Sequence, residues 1–123
     1  MDDLVKIFKA LADKTRLRII FTLLAAKEEL CICEIVDALK IAQYNISRHA
    51  KELKIAGLVQ ERKEGKFVFY SMIKPEDKVH ALLLKAIEAF DQNILNEDKK
   101  RLEKRLGKRV DGKCVVGSKW RCC

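Results

Sequence analysis

Residues 43–70 read QYNISRHAKELKIAGLVQERKEGKFVFY, and the change of period inside this stretch decides the fold. From Gln43 to about Ala56 the apolar residues Ile46, Ala50 and Leu53 recur at helical spacing and fall on one side. At about 100° per residue, Tyr44, Ser47, Arg48 and Lys51 fall roughly opposite. Gly57 is a natural helix stop, because a residue without Cβ enters the left-handed region cheaply. Beyond it the period drops to two. Val59, Glu61 and Lys63 alternate with polar neighbours, Glu64-Gly65 supplies a turn, and Lys66-Phe67-Val68-Phe69-Tyr70 is aromatic and β-branched. This is the pattern of a β-hairpin. A helix followed directly by a basic hairpin suits a recognition helix in a DNA major groove with a wing beside it.

Upstream, a short helix through Cys33, Ile35, Val36 and Leu39 follows Glu28-Glu29, and a break at Lys40-Ile41-Ala42 separates it from the recognition helix. The opening segment, with Leu4, Ile7, Phe8 and Leu11, is an amphipathic helix. Asp13 is placed to cap the next helix, where Leu17, Ile20, Phe21 and Leu24 make a broad apolar face. The run from Lys14 to Ala26 mimics a secretory signal, but Asp2, Asp3 and Asp13 make its approach acidic as well as basic. It reads instead as the apolar side of a buried helix. Downstream, Pro75 is placed to open a long helix whose stripe runs Val79, Leu82, Leu83, Ala86, Ile87, Phe90 and Ile94. So much apolar surface on a terminal helix of a short chain predicts a homodimer seam. The expected fold is mainly α with a β-hairpin wing (α+β), a dimeric winged helix-turn-helix.

On the recognition helix, Arg48 can hold guanine bidentately or clamp a phosphate, and Gln43 and Asn45 carry the donor–acceptor pairs that read adenine. Tyr44, Ser47 and Lys51 share the exposed side, with His49 near its core-facing edge. Arg62, Lys63 and Lys66 on the hairpin suit phosphates, which position without specifying.

The chain of 123 residues carries a formal net charge of +8. Residues 98–123 hold ten Lys/Arg against three Asp/Glu, so the excess is mostly a property of this end. The chain divides by composition into a winged-helix and dimerisation unit, 1–97, and a basic, Cys-containing extension, 98–123. The extension's last residues, Gly112–Cys123, are expected to be mobile unless tied down. No stretch is long and apolar enough to span a bilayer. Five cysteines, two of them in a Cys-x-Cys pair, indicate reduced thiols in a cytoplasm rather than a disulfide scaffold.

That pair sits in Glu29-Leu30-Cys31-Ile32-Cys33-Glu34-Ile35, directly ahead of the DNA-reading pattern. Soft thiolates at Cys31 and Cys33 suit As(III), Sb(III), Cd(II), Pb(II) or Cu(I) and exclude hard cations. The bland alternative is two small buried apolar residues. In a regular helix, residues two apart diverge by about 200°, so sharing one ion is expected to require local unwinding. As(III) prefers three sulfurs in a pyramid. Cys114, Cys122 or Cys123 are candidates for the third, from the same or the other subunit. Two thiolates with an exogenous thiol or water are the alternative, as is an independent site on the tail.

Phe8–Ile20, Glu29–Glu34, Ile46-Ser47-Arg48-His49 and Gly57-Leu58-Val59 together resemble the ArsR/SmtB family of metalloregulatory repressors, in order across roughly residues 4–75. The Leu-Cys-x-Cys-Glu block resembles its arsenic-responsive branch. The resemblance implies a winged-helix homodimer that sits on operator DNA when ligand-free and is released by As(III) or Sb(III). Two departures stand out. Where family recognition helices often begin Ser-x-Pro, this chain has Ala42 and Tyr44; where arsenic sensors often carry a third cysteine, it has Val36. The family's other metal site, paired Asp/His and His/Glu on the last helix, is not matched, because His80 has no second histidine and positions 91 and 94 are Asp91 and Ile94.

An enzyme is disfavoured. Cys114 and Arg121 are separated by six residues rather than the five of a thiol-phosphatase loop, and no nucleophile–base constellation or phosphate loop stands out. The reading is therefore a cytoplasmic, metalloid-responsive transcriptional repressor without a cofactor, partnered by double-stranded operator DNA, a second copy and a thiophilic ion. The alternatives are a thiol-redox switch or a Cd(II)/Pb(II)-responsive repressor of the same fold.

Overall fold

A computed structural model describes residues 1–90 and 92–114. Helix α1 spans Asp2–Leu11 and α2 spans Lys14–Ala26. The Asp13 side chain caps α2 as its spacing predicts, accepting from the Arg16 amide at 3.0 Å. Ile19, Ile20 and Leu23 are the residues α2 buries most deeply, whereas Leu17, Phe21 and Leu24 are half-buried. The apolar face is thus rotated from the one the periodicity suggested, because the helix is covered on more than one side. The Ile19–Ala26 run lies wholly within this helix.

Leu30–Cys31 forms a two-residue strand, β1, which gives way at once to α3, Ile32–Leu39. Helix α4 runs from Gln43 to Ile55, with Ile46, Ala50 and Leu53 fully buried against α2 and α3. Ala42 stands at its N-cap with no side-chain bond, so the missing hydroxyl is a real vacancy in the capping. Gly57 follows at φ +81°, the left-handed stop that its position implied.

The wing is β2, Val59–Glu64, paired antiparallel with β3, Phe67–Met72. Glu64 pairs with Phe67, so the turn is Gly65-Lys66, one residue later than expected, with Gly65 at φ +59°. β1 adds to the far side of β3, giving the order β1-β3-β2, with Cys31 opposite Phe69. This is a winged helix-turn-helix.

Helix α5, Lys78–Ala89, departs from expectation at both ends. Pro75 does not open it; Asp77 does, its carboxylate accepting from the His80 amide at 2.9 Å. Nor does it continue to Ile94. Phe90 is extended, and a 3-10 turn, Gln92–Leu95, leads into a separate helix α6, Asn96–Leu106.

α6 has a polar sequence yet packs closely on α3. Its Asp98, Arg101, Leu102, Arg105 and the following Arg109 recur at helical spacing and face inward. Arg18 of α2 grips Asp98 with two bonds of 2.8 Å, and Arg101 donates to the same carboxylate at 2.6 Å. The same two arginines donate to the carbonyls of Leu39 (2.9 Å) and Ala38 (2.7 Å). Those are last-turn carbonyls of α3 that its own helix leaves unpaired, at the end where the dipole favours a cation. The turn between α3 and α4 is fixed from below.

Candidate functional site

The thiol site is assembled from a strand end, a helix start and a hairpin. Cys31 is the N-cap of α3, with extended backbone (φ −67°, ψ 146°), and Cys33 is the second residue of the helix. Because Cys31 lies outside the helix, the expected divergence of about 200° does not apply. Its sulfur is 2.9 Å from that of Cys33 with no unwinding. The expectation that sharing an ion requires the helix to unwind is therefore corrected.

The third sulfur belongs to Cys114. After α6, Val110 and Lys113 bridge across Asp111-Gly112, both at positive φ (52° and 74°), a tight turn that returns the chain towards α3. It sets the Cys114 sulfur 3.2 Å from that of Cys33. All three ligand atoms lie within 4.8 Å of one another, with Cys31 and Cys33 0% exposed and Cys114 6%. Cys122 and Cys123, the other tail candidates, lie outside the described residues. The Asp-Gly pair is a hairpin signal the sequence reading passed over.

Two arginines frame the cluster. The buried Arg105 donates from Nε to Asp37 at 2.7 Å, and its Nη2 is 3.5 Å from the Cys33 sulfur and 3.7 Å from that of Cys114. Burial works against its charge, but Asp37 and the two sulfurs hold its pKa above the ordinary value. Arg109 donates twice to the fully buried Glu34, at 2.7 Å each, and also to Glu28 and the Glu29 carbonyl. Glu34 in turn accepts from the Cys31 amide at 2.8 Å. Burial pushes the Cys114 thiol up, opposed by its hydrogen bond with Cys33. The set offers three soft donors, nearly dry, with a cation at two of them. Such chemistry suits a thiophilic ion and no hard one.

The candidate DNA-reading residues lie on α4 and the wing. Tyr44, Asn45, Ser47, Arg48 and Lys51 are exposed on α4, and Gln43 is half-buried at its start. His49 is half-buried and accepts from Arg16 Nε at 3.3 Å, with Asp13 3.8 Å away, so it packs α4 on α2. Lys63 and Lys66 are exposed on the wing. Arg62 is differently placed. It grips Glu29 with bonds of 2.9 and 2.6 Å, reaches Glu64 at 2.7 Å, and lies over the Phe69 ring at 4.4 Å. Its charge is largely met within the protein. Tyr70, buried on β3, donates to Glu61 at 3.1 Å.

The candidate dimer residues are mostly uncovered. Val79, Leu82, Ala86 and Phe90 are exposed and Leu83 and Ile87 half-buried, while α5 turns His80 and Leu84 into its own subunit. Exposed Val5 and Phe8 of α1 add to the uncovered apolar surface. His80 accepts from the Glu76 amide at 3.4 Å through Nδ1 and joins no cluster of metal-ligating groups among the described residues.

A family model described as bacterial regulatory protein, arsR family, matches residues 13–61. The arsenic resistance transcriptional regulator ArsR1 of Pseudomonas putida is 40% identical over 97 residues, 78% of this chain and 74% of the relative. ArsR2 of the same organism is 37% identical over 95% of both. A cadmium resistance regulatory protein CadC homolog of Staphylococcus aureus is 38% identical over 68% of this chain and 67% of its own. Among solved structures, reduced HlyU of Vibrio cholerae superposes with a TM-score of 0.62 at 33% identity, over 74% of this chain and 92% of that one. A homodimeric winged helix-turn-helix domain of Mycobacterium bovis, Mb0332, gives 0.58 at 26% identity, over 76% and 82%.

Proposed function

Since this chain belongs to the ArsR family of bacterial regulatory proteins, a DNA-binding transcriptional regulator and not an enzyme, we propose that it is a repressor that leaves its operator when As(III) or Sb(III) binds Cys31, Cys33 and Cys114. The observation that carries this is the convergence of three buried sulfurs on the elements that support the recognition helix. The arsenic-resistance relatives favour As(III) or Sb(III) as the inducing ion, and the cadmium-resistance relative keeps Cd(II) or Pb(II) as the alternative.

The working form is a homodimer in the cytoplasm, closed through the uncovered apolar faces of α5 and α1; one structural relative was solved as a homodimer. Gln43, Tyr44, Asn45, Ser47 and Arg48 read bases in the major groove, with His49 behind them. Lys51, Lys63 and Lys66 hold phosphates. Arg62 already directs three of its five N–H donors to Glu29 and Glu64, so a phosphate shares it with those carboxylates, and it also fixes the wing to the segment before β1.

The cluster is wired to both DNA-contacting parts. Cys31 sits on a strand paired with β3 of the wing, and Cys33 lies in the first turn of the helix packed beneath α4. One ion held by all three sulfurs locks β1, the start of α3 and the Asp111-Gly112 turn into one arrangement, where DNA binding selects another. The ion then favours whichever arrangement holds the sulfurs best, and DNA affinity falls to the extent that the two arrangements differ.

The test is fluorescence anisotropy of a duplex selected from random DNA, at fixed salt and under a phosphine reductant. Arsenite is expected to release wild type and to leave Cys31→Ser/Cys33→Ser bound. Equal release of both proteins would place sensing elsewhere. A redox reading is favoured by one observation, the 3.2 Å approach of the Cys33 and Cys114 sulfurs. It predicts release by an oxidant, with arsenite inert under strict reductant.

A further inference from the structure

Arg105 is the feature of the cluster that a bare three-thiol site does not require. An arginine 3% exposed, inside a mostly apolar core, needs negative charge beside it. Asp37 supplies one carboxylate at 2.7 Å, yet Nη2 is turned towards sulfur, 3.5 Å from Cys33 and 3.7 Å from Cys114. What charge those sulfurs carry depends on the ion they hold. Arsenous acid reacts with three thiols to give a neutral arsenic tris-thiolate and three waters, arsenic staying trivalent throughout. A divalent soft cation displaces three protons to buffer and forms a tris-thiolate with one surplus negative charge.

We propose that Arg105 is a specificity-determining residue that stabilises this surplus charge, so that the same three thiols accept divalent soft cations such as Cd(II) or Pb(II) as well as As(III). The inference rests on Cys31, Cys33 and Cys114 being the ligand set. Arg105 touches the ligand atoms themselves, so its charge acts over a few ångströms in a nearly dry site, where such interactions are strong. The neutral arsenic complex gains little from it. Asp37, hydrogen-bonded to Nε, offsets part of the guanidinium charge and so limits the effect.

The experiment measures Cd(II) affinity by sulfur-to-metal charge-transfer absorption against a competing chelator. Arsenite affinity is measured by its own near-ultraviolet sulfur band, and the full chain is kept under a phosphine reductant. Arg105→Met is expected to weaken Cd(II) by about tenfold or more while arsenite changes by less than about threefold. Arg105→Lys, which keeps the charge, should retain most of the Cd(II) affinity. Circular dichroism checks folding. Should Arg105→Met not fold, Asp37→Asn decides, since removing the opposing carboxylate should raise Cd(II) affinity relative to arsenite. A parallel loss of both ions in Arg105→Met, or a relative fall of Cd(II) in Asp37→Asn, would overturn the proposal. Wild type that binds arsenite but not Cd(II) also overturns it and leaves the thiol site standing. Wild type that binds neither ion refutes the site itself.

Discussion

Replacing Asp98 by alanine removes the carboxylate that joins α6 to α2, and the consequence can be worked from its bonds. Asp98 accepts two hydrogen bonds from Arg18 at 2.8 Å and one from Arg101 at 2.6 Å, and its side chain is only 9% exposed. Hydrogen bonds to charged groups contribute about 1.5–3 kcal/mol each, and breaking a buried pair by removing one partner costs about 3–5 kcal/mol. Arg18 and Arg101 keep roughly a quarter of their side chains in solvent, at 23% and 25%. Water therefore screens the two cations left facing each other, and both still donate to the α3 carbonyls. The net loss should be about 3 kcal/mol, near the lower end of the range. With about 2.1 cal/mol/K of unfolding entropy per residue, a chain of this size should lose roughly 12 °C in Tm. Urea denaturation and thermal scans at equal protein concentration measure both quantities, concentration being fixed because dimerisation adds to apparent stability. A loss below about 0.5 kcal/mol, the usual size of a surface substitution, would refute the view that α6 is anchored through this carboxylate.

Other expectations follow from single features. Ala42→Ser supplies the hydroxyl that the start of α4 lacks and should raise stability by about 1 kcal/mol in urea denaturation. Leu82→Glu places a charge in the uncovered face of α5 and should shift sedimentation from dimer to monomer at micromolar concentration while leaving the circular dichroism unchanged. Acid should destabilise the protein through Asp13, Glu29 and Glu64, whose pKa values are held down by the Arg16 amide for Asp13 and by Arg62 for the other two. Groups depressed in the folded state add stability above their unfolded pKa and lose it as pH falls, so Tm should drop below about pH 4, and Glu29→Gln should make that drop shallower.

The parts of the fold carried by apolar period were legible. Ile46, Ala50 and Leu53 mark the buried face of α4, and the switch to period two after Gly57 marks the wing. The elements that were missed are those specified by other means. β1 is two residues long, too short for any alternation, and exists because β3 offers it an edge. α6 reads as a solvated helix because the stripe it buries is built from Asp98, Arg101 and Arg105 as much as from Leu102. Inward-facing arginines match acidic residues and carbonyls on α3 that only the folded chain brings near. The helix break at Phe90 shows the converse: a continuous apolar stripe does not require one continuous helix. The thiol site was half legible. Cys31 and Cys33 announce themselves by spacing, whereas Cys114 is 81 residues from Cys33 and is delivered by the Asp111-Gly112 turn.

The most direct test of a three-sulfur site is arsenic X-ray absorption on the arsenite-loaded protein under a phosphine reductant, comparing wild type, Cys114→Ser and Cys122→Ser/Cys123→Ser. Three sulfurs at one distance and one arsenic per chain are expected in wild type and in the tail double variant, with one sulfur lost in Cys114→Ser. Three sulfurs persisting in Cys114→Ser, or one disappearing in the tail variant, would contradict the ligand set assigned to Cys31, Cys33 and Cys114.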